Sequence, residues 1–120
     1  MTQILVTTVD LVPNHRVIAT HGLVRGQAIR TRHIAHDLTE WLRNLVGAEL
    51  DHYVKMLAET REQALDRMRD EARRLGANAV VGVRFEFSKI AGGAAEVLVY
   101  GTAMRIEPGE PAPMPPDGAT

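Results

Sequence analysis

Few side chains in this chain could do chemistry, and most of them lie close together. His33 and His36 stand three apart, which on a helix puts both imidazoles on one face about one turn apart, a spacing that suits a divalent metal. The chain has no cysteine. A closed four-ligand site would therefore need His15, His21, His52, carboxylates distant in sequence, or residues of another subunit. The competing reading makes His33 and His36 solvated neighbours of Arg30 and Arg32. A second candidate is anionic. Arg25, Arg30, Arg32 and His33 gather at an expected strand-to-helix entrance, where unsatisfied backbone N–H groups also favour negative ligands. Read plainly, the same stretch is a solvated basic loop between two apolar elements.

Catalysis finds little support. Ser88 is the only serine, and Phe87 and Lys89 flank it where a nucleophile elbow needs glycines. Gly22-Leu23-Val24-Arg25-Gly26 lacks the Gly-Lys-Ser/Thr ending of a phosphate loop, and no later glycine completes a dinucleotide fingerprint. Glu59, Glu62 and Asp66 read as the solvated face of a helix. The expectation is a protein that is not an enzyme.

Composition narrows the partners. Fourteen basic residues against fifteen acidic ones leave a net charge of -1, so no global field draws the chain to phosphate backbones. Trp41, Tyr53, Phe85, Phe87 and Tyr100 fall mostly at periodic apolar positions and read as core or subunit interface rather than as a stacking platform. Nucleic acid is not an expected partner. The start, Met1 to Asp10, has neither a basic leader nor enough apolar residues for a signal or membrane span. A cysteine-free chain of this kind is expected in the cytoplasm.

The elements that must position these residues follow from periodicity. From Leu50 to Leu75, apolar Leu50, Val54, Leu57, Ala64, Leu65, Met68, Ala72 and Leu75 recur at three- and four-residue intervals, with Arg61, Glu62, Asp66, Arg69, Asp70 and Arg73 on the other side. This predicts one long helix, with Asp70 and Arg74 as an i,i+4 pair and a left-handed cap at Gly76. Ile34, Leu38, Trp41, Leu42 and Leu45 predict a shorter helix ending at Gly47. Val17 to Leu23 predicts a strand after a turn at Pro13-Asn14. Val81, Val83, Phe85 and Phe87 alternate with polar or small residues as one face of another strand, and Gly92-Gly93 turns it into a last strand, Ala95 to Ile106.

The fold class expected is α+β: a small antiparallel sheet packed on one long helix plus a shorter helix. It is one domain over residues 1–106, followed by a Pro-rich disordered tail, 107–120, that holds five of the six prolines. Pro111 to Pro116 could also meet a partner as a polyproline helix. In the last strand Val97, Val99 and Ala103 lie on one face, yet Leu98, Tyr100 and Met104 on the other are apolar too. One helical layer covers one face only, so a second copy of the chain is the expected cover.

In this order the signals resemble the YbjQ-like family of small bacterial proteins, which carry a heavy-metal-binding label without an established activity. The residues that carry the resemblance are Thr7-Thr8, Gly22 to Ala28, Tyr53, Arg61 to Leu65, Leu75 to Val83 and Gly101-Thr102-Ala103. The resemblance implies a dodecin-like subunit in a homo-oligomeric ring, a pentamer or paired pentamers, and the basic stretch at Arg25, Arg30 and Arg32 adds the expectation of a small-ligand role. It leaves a divalent metal as the cofactor to look for. Ile29-Arg30-Thr31-Arg32-His33 stands where the family has a small neutral loop, and Gly47-Ala48 where it has two glycines.

Overall fold

The apolar stripe of the long helix sets the architecture, because it must be buried and only a sheet face is broad enough to bury it. A computed structural model describes residues 3–30, 48–90 and 94–111. Within them the elements are β1 (Leu5–Val6), β2 (His15–Arg30), α1 (Ala48–Arg74), β3 (Ala79–Ile90) and β4 (Ala94–Pro108). The four strands form one sheet in the order β1-β3-β4-β2. β2 and β3 each run antiparallel to β4, and β1 adds a short parallel pair on β3, so the sheet is mixed rather than purely antiparallel.

Ala64, Met68 and Ala72 are fully buried against Val24 and Ala28 of β2, Val80 and Val83 of β3, and Val97, Val99 and Ala103 of β4. Most of these side chains are small, so the helix lies close to the sheet. At Gly26 it is closest: a Cβ there would sit 2.6 Å from the backbone nitrogen of Met68 and overlap the backbone oxygen of Ala64.

The helix stops where expected. Gly76 has φ +85°, and the amides of Gly76 and Ala77 donate to the carbonyls of Arg73 and Ala72, both at 3.0 Å, a Schellman cap that satisfies two carbonyls of the last turn. Leu75 lies in that cap turn and is 44% exposed rather than part of the buried stripe. The expected Asp70–Arg74 pair is replaced by Asp70 with Arg73 at 2.7 Å, one residue nearer, and Asp66 takes Arg69 at 3.0 Å.

Asn78 then fastens β3 to β4. Its amide nitrogen donates to the Ile106 carbonyl and its amide oxygen accepts from the Ile106 N–H, each at 2.8 Å. A side chain here does the work of a ladder partner. Further along, an irregularity between Val81 and Arg84 changes the register against β4. Val81 therefore faces away from the helix, with Ala79, Met104, Ile106 and the half-buried Val12, while Val83 and Phe85 face the helix. The single face expected for Val81, Val83, Phe85 and Phe87 is split, because one extra residue in a strand inverts the alternation after it.

β2 extends seven residues beyond the expected end at Leu23, to Arg30. β4 runs two residues into the expected tail: Glu107 pairs with Arg16 across the ladder and by side-chain hydrogen bonds, and Pro108 lies opposite His15. The expected shorter helix, the Gly92-Gly93 turn and the rest of the tail from residue 112 lie outside the described residues.

Candidate functional site

The helix that buries Ala64, Met68 and Ala72 carries Arg67, Glu71 and Arg74 beside them, at four- and three-residue steps that form one row along its flank. That row borders β2, which is the last strand in the sheet order and has no strand on its outer edge among the described residues. Arg67 reaches across it, and its Nη1 donates to the Gln27 carbonyl at 2.5 Å. The Gln27 carbonyl therefore points away from β4. In an antiparallel ladder a residue's N–H and C=O point the same way and alternate along the strand, so the N–H groups of Arg25, Gln27 and Ile29 are also directed outward.

Between strand edge and helix flank lies an open groove of about 550 Å³, lined by Arg25, Gly26, Gln27, Ile29, Arg67, Glu71 and Arg74. Three arginines against one glutamate give its lining a net charge of 3 − 1 = +2, on a chain whose net charge is -1. The three arginines are exposed and Glu71 is half-buried. Among the described residues no carboxylate forms an ion pair with Arg25, Arg67 or Arg74, since Asp66 and Asp70 are engaged by Arg69 and Arg73. Such a groove can hold oxygen anions, because guanidinium forks match phosphate and carboxylate and the edge N–H groups add donors.

The residues expected from sequence are distributed as follows. Arg25 lines the groove, but as a strand residue opposite Tyr100 and not in a loop, so its side chain leaves β2 on the face away from α1 and borders the groove at the strand edge. The physical reason is that Val24, Gly26 and Ala28 form the buried alternate face of β2, and two of those three are too small to register as apolar. Arg30 ends the strand opposite Ala95 and does not line the groove. Arg32, His33 and His36 lie outside the described residues. Arg67, Glu71 and Arg74 were hidden in a helix that reads as charged on every side but one. Their 67/71/74 spacing next to 64/68/72 is the signal that finds them.

The described residues do not fit a metal ion. No group of three or more histidine, aspartate or glutamate side chains converges among them. His15 holds its Nδ1 at 2.8 Å from the Pro13 carbonyl, inside its own turn, and His21 is exposed on β2. Nor is any described helix long and apolar enough to cross a membrane.

Comparison with known proteins assigns the chain. Residues 4–107 match a family model described as "Putative heavy-metal-binding". A UPF0145 protein of Thermus thermophilus is 53% identical over 106 residues, covering 88% of this chain and 93% of its own. UPF0145 proteins of Methanococcus maripaludis (52% identical; 85% and 91% covered) and Pyrococcus furiosus (44%; 89% and 94%) are similar too. The family thus extends to archaea, and its expected restriction to bacteria is corrected. The crystal structure of a protein of unknown function from Pediococcus pentosaceus, assigned to the DUF74 family, shares the fold with a TM-score of 0.58 at 16% identity, covering 87% of this chain and 98% of that one. The chain belongs to the YbjQ family, whose members include the UPF0145 proteins.

Proposed function

We propose that this protein is a non-catalytic homo-oligomer that assembles as a ring, a pentamer or paired pentamers, in the cytoplasm and carries a small ligand. The observation behind this reading is the sheet face turned away from α1. One end of it is filled by the chain's own Val81, Met104 and Ile106 under Val12. At the other end Leu23 and Ile29 are 64% and 53% exposed, and Leu98 and Tyr100 are only half-buried. Cross-strand register puts Leu23, Ile29, Leu98 and Tyr100 on that one face. These apolar side chains are interspersed with Arg25, Gln27, Arg84 and Glu86 on the same face, a mixed surface of the kind that subunit interfaces use, and a second copy offers a matched cover.

Size-exclusion chromatography with light scattering tests the assembly. A stable multimer at micromolar concentration that Leu98→Glu dissociates supports it, and a wild-type monomer overturns it.

The family description favours metal binding as a second reading, carried by His33 and His36. Elemental analysis of protein purified without a tag decides it. Metal retained by the wild type and lost in His36→Ala supports these ligands; metal retention unchanged in that variant removes them.

A further inference from the structure

We propose that the groove between β2 and α1 is a binding site for a small molecule carrying two or more phosphoryl groups, held by Arg25, Arg67 and Arg74. The inference names a ligand class and a place for the ligand role proposed above, and it does not depend on the ring.

Charge sets the class. The lining carries a net +2 from three arginines and Glu71, so a singly charged carboxylate would leave it under-compensated. A diphosphate has the charge and the span to bridge Arg67 and Arg74 on the helix to Arg25, whose side chain leaves β2 on the other face and meets the groove at the strand edge. The groove, at about 550 Å³, is of the size that holds small ligands rather than a bare ion. Glu71 shares the helix wall with Arg67 and Arg74. Its carboxylate repels a phosphoryl oxygen but accepts from a hydroxyl or amino group, which favours an organic phosphate over the inorganic ion.

A strand from another chain is the rival occupant of an open edge. Two features of β2 oppose it. The Gln27 carbonyl, which an added strand would need as an acceptor, is already taken by Arg67. The first half of β2 is broken by register shifts between Val17 and Ala19 and between Thr20 and Gly22, and such irregularities twist an edge away from pairing. An anion needs neither a free carbonyl nor a straight edge. It can use the remaining N–H groups of Arg67 together with those of Arg25 and Arg74.

Isothermal titration calorimetry of the full chain with pyrophosphate, against inorganic phosphate at matched ionic strength, tests the site. Pyrophosphate is expected to bind once per chain and more tightly than phosphate. Arg25→Gln and Arg74→Gln should each weaken it by about tenfold or more, as the loss of a charged hydrogen-bonding partner does. Glu71→Gln should tighten it. Arg69→Gln, in a residue paired with Asp66 outside the groove, should leave it unchanged. No binding of pyrophosphate, equal weakening by Arg69→Gln, or unchanged binding in Arg74→Gln would each overturn the site. Light scattering on the same samples separates the two proposals, since a monomer that binds overturns only the ring and a multimer that does not bind overturns only the site.

Discussion

Replacing Gly26 by alanine probes the contact on which both fold and groove depend. Gly26 is not among the residues with positive φ, so alanine meets no backbone strain and the effect is one of space alone. The added methyl would stand 2.6 Å from the Met68 nitrogen, where relaxed contact needs about 3.5 Å. Both obstructing atoms, that nitrogen and the Ala64 carbonyl oxygen, belong to the helix backbone, so no side-chain rotation relieves the clash. The helix must lift by roughly 1 Å, a gap that forfeits a quarter to a half of each dispersion contact it opens. Met68, Ala64 and Ala72, all at 0% exposure, would lose packing together. Overpacking of this kind costs up to about 3 kcal/mol, a large share of the ~5–15 kcal/mol that holds a domain together. In urea unfolding followed by far-ultraviolet circular dichroism at fixed protein concentration, the full ~3 kcal/mol would lower the midpoint by roughly 1–3 M for an m-value of ~1–3 kcal/mol/M. Ala64→Gly should not rescue it, because the clash is with backbone. A midpoint shift under about 0.3 M, or rescue by Ala64→Gly, would refute the argument.

Three smaller changes test other joints of the fold by the same unfolding measurement. Gly76→Ala puts a Cβ at φ +85° and should cost about 1 kcal/mol with the helix content nearly intact. Asn78→Ala removes two hydrogen bonds to Ile106 and should cost about 2 kcal/mol, with Asn78→Asp intermediate because only the donor is lost. Arg16→Ala breaks its exposed pair with Glu107 and should change stability by less than about 0.5 kcal/mol, since solvent screens such pairs.

The long helix was legible because its stripe is periodic and its stop is a glycine followed by a strand. The final hairpin was legible from alternation. The end of β2 was not: Gly26 and Ala28 are buried yet add almost nothing to an apolar pattern, so a strand that runs to Arg30 looked like a basic loop. The register change beyond Val81 was equally silent, since it alters which face a side chain takes without altering its type. β1 is two residues long, too short for alternation to show. Of the groove lining, Arg25 stood out in the sequence, and Arg67 and Arg74 did not. They lie 42 and 49 residues from Arg25 in sequence, and only the sheet order brings that helix flank to the edge of β2.

The small residues that blurred the sequence pattern also build the groove. Had position 26 carried a valine like position 24, the helix would stand off the sheet, and Arg67 could not span the gap to the Gln27 carbonyl. Close approach turns a row of solvated helix arginines into the wall of a site whose floor is strand backbone. The cost is a thin core, because alanine against glycine buries little apolar area. The open sheet face, with Leu23 and Ile29 exposed, is where a second copy could restore that missing burial. On this argument ligand groove and assembly share one cause, and Gly26→Ala should weaken pyrophosphate binding by calorimetry under conditions where the variant remains folded. Unaltered binding in the folded variant would separate the groove from the packing that we hold responsible for it.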